Sequence, residues 1–325
     1  MHALLILLSL LLVVLGGYAV LGALGRVDDW RQRRRLELLV LAAPAASLAV
    51  GAIGLHHFMG RICFLAAPPW DDMLGTAGPA AMGAGVLGAI AWGLLRFGLV
   101  SWTLRRGTMA AGPDLQARAE RLARRLGVPR PQVRVGIHPH PIALGWGVRC
   151  PTLLLSTWML EHLDVHELDA VLAHELGHAA RHDVLVVWLA TVLRDAFFYL
   201  PTSRLAYRRL QADKELASDD LAVGVTERPL ALASALAKVW QQALGGPALG
   251  AAQAFADEGS WIEQRIARLV DGPKPQRVAP SSPGGVLSLG ASALLGLLAL
   301  QALGLVVMFV YPMSCGPASP LWRLL

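Results

Sequence analysis

A His-Glu-x-x-His pattern at residues 174–178 is the stretch of this sequence best suited to chemistry. Residues four apart lie on one face of a helix, so His174 and His178 can bind one metal ion together. Neutral imidazole nitrogens suit zinc, and Glu175 can take a proton from a water bound to that zinc. Small apolar residues surround the motif, which favours a buried helix whose imidazoles need partners over a solvated surface helix. The pattern therefore predicts a catalytic zinc site with Glu175 as the general base.

A catalytic zinc needs a third protein ligand and keeps a fourth position open. The segment 213–220 is the best source of that ligand, because apolar and acidic residues recur there at helical spacing. We predict Glu215 as the third zinc ligand. Asp219, one turn further, is predicted to accept the remaining ring N–H of a ligand histidine. Taken alone, the segment would be interpreted as an acidic solvated helix face. The role of Glu215 as a ligand is favoured because the first helix supplies only two of the three ligands that the zinc needs.

The elements that must position these residues can be predicted from capping and strand signals. Asp164 and Glu167 form a capping-box pattern at the start of the helix that carries the first motif. Helices are also predicted at 113–126, which starts with a proline and is followed by Gly127, at 229–244 and at 261–270. Short strand-like stretches precede it at 132–137 and 153–155, and the glycine- and proline-containing segment 141–151 is typical of a turn or a sheet edge. Metalloproteases commonly bind substrate as an added strand on such an edge.

The composition of the 325 residues is too apolar for an ordinary soluble domain: 55% are hydrophobic, 16% are charged and the mean hydropathy is +0.50. The net charge of +6 is better explained by membrane topology than by nucleic-acid binding, since no basic segment is interleaved with aromatic residues. The lipid bilayer is therefore a predicted partner, and direct contact with nucleic acid is not. No glycine-rich phosphate loop is present, so ATP use is not indicated.

Four apolar segments are long enough to cross a bilayer, at 1–24, 36–57, 79–102 and 286–311. The segment 58–78, which contains a proline pair at 68–69, is predicted to be a loop. A cleaved signal peptide is the alternative for the first, but its positive cluster follows the apolar run instead of preceding it. Arginines cluster at 26–35 and at 105–106, and the positive-inside rule places these loops in the cytoplasm. We therefore expect a multi-pass protein of the cell membrane with both termini extracytoplasmic.

This topology predicts five regions: a three-span N-terminal membrane region (1–106), a cytoplasmic zinc metalloprotease domain (107–270), a linker (271–285), a fourth transmembrane helix (286–311) and an extracytoplasmic tail (312–325). The apolar segment 184–200 is short and interrupted by Arg194 and Asp195, so it is predicted to be half-sunk in the membrane or packed on the spans. Cys63 and Cys315 would share the oxidising side, where a disulfide between them is a hypothesis.

Three segments resemble the BlaR/MecR-type antibiotic-sensor metallopeptidase family: 142–155 (IALGWGVRCPTLLL), 173–183 (AHELGHAARHD) and 214–219 (KELASD). The arrangement of three spans before the domain and one after it also resembles that family. The fold and the first metal motif are also similar to those of HtpX-type and CAAX prenyl proteases of membrane quality control.

The resemblance implies a mainly α membrane protein with four transmembrane helices and a cytoplasmic α+β zincin-like (gluzincin) domain. It implies a zinc endopeptidase with His174, His178 and Glu215 as ligands and Glu175 as the base. Such proteins respond to an extracellular signal and cleave a cytoplasmic protein, here a BlaI/MecI-type transcriptional repressor, often with self-cleavage. Antibiotic-sensing members carry a large penicillin-binding sensor after the last span. Here a short tail follows Tyr311, so the resemblance implies proteolysis but does not extend to direct β-lactam sensing.

Three functions stay open. The first is a membrane-embedded zinc endopeptidase in signal transduction, and the second is an HtpX-like quality-control protease that clears damaged membrane proteins. They differ in substrate range, one repressor against many misfolded proteins. The third is a non-catalytic, zinc-stabilised membrane receptor that signals by conformation. Glu175 argues against it, because a structural metal site needs no base.

Overall fold

The computed structural model describes residues 2–27, 29–59, 69–147, 150–244 and 252–272. These residues form a mainly helical protein with one small sheet, divided into two compact units. Of the described residues, those up to Gly93 and Ala190–Leu210 belong to the first unit, and Leu94–Leu189 and those from Gln211 onward belong to the second. The predicted fourth span, the tail, nearly all of the linker, Cys63 and Cys315 lie outside the described residues.

Long helices dominate the N-terminal part of the chain: α1 is His2–Ala23, α2 is Trp30–Met59 and α3 is Pro69–Arg106. In the first unit α1 packs against α2, where buried Val13 and Ala43 lie together with Leu39. Gly17 lies at this contact, since a Cβ atom there would be 3.2 Å from Val40 Cγ1. Helices are thus present at the first three predicted spans.

The start of α3 corrects the sequence prediction. We expected a loop to continue to residue 78, but the helix begins at Pro69. Proline fits the first turn of a helix because its missing N–H has no intrahelical acceptor there. The proline pair that suggested a loop therefore marks a helix start.

Within the described residues, one helical segment is long and apolar enough to cross a membrane, Gly83–Thr103. Its large side chains are exposed, among them Leu87 (68%) and Trp92 (61%). A shorter apolar helical segment runs from Leu10 to Ala23. The four-span topology stays a prediction.

The sheet of the second unit has four strands: β1 is Thr108–Ala110, β2 is Gln132–Gly136, β3 is Ala143–Trp146 and β4 is Thr152–Ser156. Their order is β1-β2-β4-β3, with β2 parallel to β4 and both outer strands antiparallel to their neighbours. The predicted strands at 132–137 and 153–155 are confirmed. The predicted edge segment 141–151 contains β3, which is an edge strand of the sheet. The three residues of β1 were missed because they are too few to show a period.

The helices that follow β1 along the chain are α4 (Pro113–Leu126), α5 (Thr157–His162), α6 (Val165–Ala180), α7 (Asp183–Ala196), α8 (Pro201–Thr226), α9 (Pro229–Leu244) and α10 (Ala252–Asp271). The predicted helices at 113–126 and 229–244 are confirmed, while α10 begins earlier than the predicted residue 261. The predicted apolar helix at 184–200 corresponds to α7. Whether it enters a membrane stays a prediction.

Helix α6 occupies the core of the second unit, in contact with α4, α9, β3 and β4. Leu172 and Leu176 on α6 are fully buried, together with Leu155 of β4 and Leu232 of α9. Burial of one such side chain contributes about 1.5–3 kcal/mol, so the position of α6 is strongly fixed by packing. The polar side chains of α6 that lie between these apolar residues are therefore fixed in position by the packing of the helix.

Candidate metal centre

The start of α6 is fixed by the predicted capping box. Asp164 Oδ1 accepts hydrogen bonds from the backbone N–H groups of His166 (2.7 Å) and Glu167 (2.9 Å), and Glu167 Oε2 accepts one from Asp164 N–H (2.8 Å). These bonds satisfy orphan donors of the first turn. They set the helix register from which the 174–178 motif follows.

Two histidines of α6 and a glutamate of α8 converge at one point, with their candidate ligand atoms within 4.8 Å of one another. His174 Nε2 lies 3.2 Å from Glu215 Oε2, and His178 Nε2 lies 3.8 Å from Glu215 Oε1. Donor atoms about 2.0–2.1 Å from a tetrahedral zinc are separated by about 3.4 Å. The observed separations are close to that value. His174 is buried, and the other two side chains are half-buried.

Acceptors from the same chain hold the outer ring nitrogens of both histidines. His174 Nδ1 lies 2.9 Å from Asp219 Oδ1, the position predicted for Asp219. His178 Nδ1 lies 2.9 Å from Asp183 Oδ2 and 2.8 Å from Ser218 Oγ. A carboxylate at Nδ1 fixes the tautomer in which the Nε2 lone pair points toward a metal. Both imidazoles are therefore oriented for binding by atoms that are not themselves candidate ligands.

A tight turn brings Asp183 back to the motif. Helix α6 ends at Ala180, α7 begins at Asp183, and His182 between them has a left-handed φ of 55°. This conformation is uncommon for a residue other than glycine, so no glycine or proline in the sequence signals the reversal. Sequence reasoning missed the role of Asp183 for that reason, although Asp183 is the last residue of the segment 173–183 that carries the family resemblance.

The carboxylates of α8 are bound by an arginine that sequence reasoning also missed. Arg265 of α10 donates through Nε and Nη2 to the two oxygens of Asp219, at 2.8 and 2.7 Å, and its Nη1 lies 3.2 Å from Glu215 Oε2. Lys214 Nζ lies 3.0 Å from Glu215 Oε1. Arg265 is only 7% exposed and stands 46 positions from Asp219. No local spacing rule connects residues so far apart.

The electrostatics of the cluster favour positive charge at its centre. Burial alone would lower the pKa of His174, but hydrogen bonding to Asp219 and Glu215 raises it to about 9. Burial alone would raise the pKa of both carboxyl groups, yet His174 holds the pKa of Glu215 well below its usual range, and Arg265 with His174 lowers that of Asp219. The carboxylates therefore stay ionised and attract a cation, whether a proton on His174 or a metal ion.

Glu175 lies beside the edge strand. Gly145 of β3 donates its backbone N–H to Glu175 Oε2 at 2.8 Å, and a Cβ atom at residue 145 would lie 3.3 Å from that same oxygen. A cavity of about 370 Å³ opens next to Glu175 and the metal cluster. Its apolar wall includes side chains from α5, α6 and α9: Met159, Val171, Leu232, Ala235, Leu236 and Val239.

Comparisons with known proteins point to the same domain. Residues 138–269 match the family model described as BlaR1 peptidase M56. The chain is 32% identical to Protease HtpX homolog 1 of Streptomyces coelicolor over 163 residues, which cover 39% of this chain and 53% of that protein. It is 28% identical to a Protease HtpX homolog of Acidiphilium cryptum over 167 residues, 41% of this chain and 58% of the relative.

The chain thus spans about half the length of these curated relatives. The matches support a metallopeptidase of the kind that the M56 model and the HtpX homologues represent. They support the HtpX-type resemblance, while the narrower BlaR/MecR-type antibiotic-sensor assignment is not confirmed.

Proposed function

We propose that this protein is a membrane-attached, zinc-dependent endopeptidase. In this proposal His174, His178 and Glu215 bind zinc, and Glu175 is the general base. The observation that carries the proposal is the convergence of these three side chains beside Glu175, with both outer ring nitrogens already held by acceptors of the same chain.

The donor set fits a catalytic zinc and not a closed structural one. Structural sites use four protein ligands, usually with several cysteines, whereas catalytic sites use three and leave one position open. Among the described residues, the cluster offers two imidazoles and one carboxylate. Bound zinc would polarise the scissile carbonyl and lower the pKa of its water toward about 7.

The residues of the chain supply proton transfer and positioning. Glu175 would take the proton of the attacking water and return it to the leaving amine. The Gly145 N–H holds Glu175 Oε2, which fixes the carboxylate beside the cluster. An extended protein segment can add to β3 by backbone hydrogen bonding, because β3 is an edge strand of the described sheet. The substrate class that follows is protein or peptide.

The proposal includes the predicted topology, with regions 1–106, 107–270, 271–285, 286–311 and 312–325, a cytoplasmic peptidase domain and extracytoplasmic termini. The exposed apolar helix segment Gly83–Thr103 supports membrane attachment. For the physiological role, the similarity to proteases named HtpX favours quality control, and the match to the M56 model favours cleavage of a BlaI/MecI-type repressor or of the chain itself. Purified protein offered a repressor of that type and a set of misfolded membrane proteins would separate the two roles.

The test of the peptidase is Glu175→Gln in the full chain, purified in detergent with zinc supplied. We expect this variant to keep about one zinc per chain and to cleave an unfolded protein substrate about 10²–10⁴-fold more slowly, because the general base is lost. Glu161→Gln, at an exposed glutamate of α5, is the control and should cleave like the wild type. Equal cleavage by Glu175→Gln would disprove the assigned base. Zinc binding without any cleavage by the wild type would favour the receptor alternative.

A further inference from the structure

We propose that Arg265 is a positioning residue of the metal centre, which holds the third ligand Glu215 and the histidine-orienting Asp219 in one fixed arrangement. This inference rests on the zinc site proposed above. It makes the geometry of that site depend on α10, a helix that contributes no ligand.

Arg265 is part of a buried, hydrogen-bonded cluster and not of a surface ion pair. Its Nε and Nη2 atoms form a bidentate pair with Asp219, at 2.8 and 2.7 Å, while Nη1 lies 3.2 Å from Glu215 Oε2. All three nitrogens of the planar guanidinium are thus used, and the residue is 7% exposed. Arginine suits this role because its fork is rigid, whereas a lysine ammonium acts as a single point charge.

Each carboxylate is shared between Arg265 and His174. Asp219 Oδ1 lies 2.7 Å from Arg265 Nη2 and 2.9 Å from His174 Nδ1, and Glu215 Oε2 lies 3.2 Å from both Arg265 Nη1 and His174 Nε2. A rotation of either carboxylate would therefore break a contact with the guanidinium. By pairing with Asp219, Arg265 also keeps that carboxylate as an acceptor for the imidazole instead of leaving its charge uncompensated in a buried place.

Two physical effects of removing Arg265 have opposite signs. Loss of a positive charge beside a ligand oxygen would by itself strengthen the binding of a cation. Loss of the contacts that orient Glu215 and Asp219 would weaken it, by about 10–100-fold as for other partners of metal ligands. If Arg265 is a positioning residue, the second effect dominates and zinc binds more weakly.

The chain provides a matched control three residues further along α10. Arg268 pairs with Asp220 of α8 at 2.8 Å, but both side chains are exposed, at 38% and 61%. A solvated ion pair of this kind contributes little. Arg268→Met removes the same charge from the same helix without touching Asp219 or Glu215.

The experiment measures zinc dissociation constants of the full-length protein in detergent, by competition with a chelator. The visible spectrum of the cobalt(II)-substituted protein reports the ligand geometry. We expect Arg265→Met to bind zinc about 10–100-fold more weakly with an altered cobalt spectrum. Arg265→Lys should be intermediate, and Arg268→Met should match the wild type. Where Arg265→Met does not fold, the affinity and spectrum of Arg265→Lys decide the question.

Unchanged or tighter zinc binding in the Arg265 variants, with an unchanged cobalt spectrum, would overturn the positioning role. Failure of the proposed function gives a different result. A wild type that binds zinc without cleaving proteins would refute the peptidase, while the measured affinities would still decide the role of Arg265. A wild type that binds no zinc would refute both proposals.

Discussion

The two ends of helix α6 both bury charged or titratable side chains, but they satisfy them differently. Near the first turn, Glu167 is 3% exposed, and its oxygens accept hydrogen bonds from Ser234 Oγ (2.6 Å), Lys238 Nζ (2.7 Å) and Asp164 N–H (2.8 Å). Near the last turn, the outer nitrogens of His174 and His178 have acceptors, while their inner nitrogens face Glu215.

This difference distinguishes the Glu167 cluster, which is satisfied within the fold, from the Glu215 cluster, which is the candidate metal site. At Glu167 each carboxylate oxygen meets a donor of the same chain, so burial is compensated within the fold. At Glu215, the two oxygens also meet donors, Arg265 Nη1 and Lys214 Nζ, but in addition they face the inner nitrogens of two imidazoles. Those nitrogens present lone pairs when both imidazoles are neutral, and acceptors that face acceptors need a cation between them. The additional facing nitrogens at Glu215, and not the burial alone, support the proposed metal centre.

The largest expected effects come from removing one glutamate from each of the two clusters. Glu215→Ala should lose the metal, from about one zinc per chain to none, because it removes one of three ligands. Glu167→Ala should keep the zinc but lower the free energy of unfolding by about 2 kcal/mol, since it removes hydrogen bonds to a buried charge. Metal content and thermal unfolding of both variants check this. Full zinc affinity in Glu215→Ala would show that the third ligand is wrong.

A smaller expected effect is the pH dependence of the stability that Glu167 contributes. Burial alone would raise the pKa of Glu167, but the bonds from Lys238, Ser234 and the Asp164 backbone lower it below its ordinary value of 4.5. A lowered folded-state pKa contributes stability that is present above about pH 4.5 and is lost as the pH falls through the folded value. The difference in unfolding free energy between the wild type and Glu167→Gln should therefore shrink below pH 4.5. Chemical unfolding at pH 7 and at lower pH measures it, and a constant difference would contradict the assignment.

The smallest expected effect tests whether the contact with Gly145 positions the proposed base Glu175. An alanine Cβ atom at residue 145 would lie 3.3 Å from Glu175 Oε2, so Gly145→Ala should displace that carboxylate by a few tenths of an ångström. Because a displacement of 1 Å can lower a rate about 10²-fold, we expect turnover to fall up to about tenfold, with unchanged zinc affinity. Gly224→Ala is the control, since no atom lies within 4 Å of a Cβ atom there. Equal turnover by the two variants would show that the Gly145 contact does not position Glu175.

Local patterns predicted the parts of the fold that depend on local chemistry. The helix Pro113–Leu126 was predicted from its first proline and from Gly127, which takes the left-handed conformation at the C-cap. The capping box of α6 was likewise evident from Asp164 and Glu167, and the separation of His174 and His178 follows from helix geometry. For Glu215 and Asp219, the prediction that they lie near this pair combined helical spacing with the need for a third ligand.

Partners brought together only by packing could not be predicted. Asp183 depends on the left-handed turn at His182, Ser218 depends on the close approach of α8 to α6, and Arg265 depends on the docking of α10. Gly177 lies at that approach, where a Cβ atom would lie 3.4 Å from the Ser218 backbone. None of these contacts has a signature at short sequence separation. The membrane topology likewise stays a prediction, since its last span lies outside the described residues.

The order of the three helices along the chain has a consequence for biosynthesis. The ribosome makes α6 first, then α8 and last α10, so the proposed ligands His174, His178 and Glu215 are all synthesised before Arg265. A nascent chain that has reached residue 226 contains the complete ligand set but not the arginine that holds its carboxylates. If Arg265 has the proposed positioning role, the candidate metal centre reaches its final geometry only when nearly all of residues 107–270 have been made.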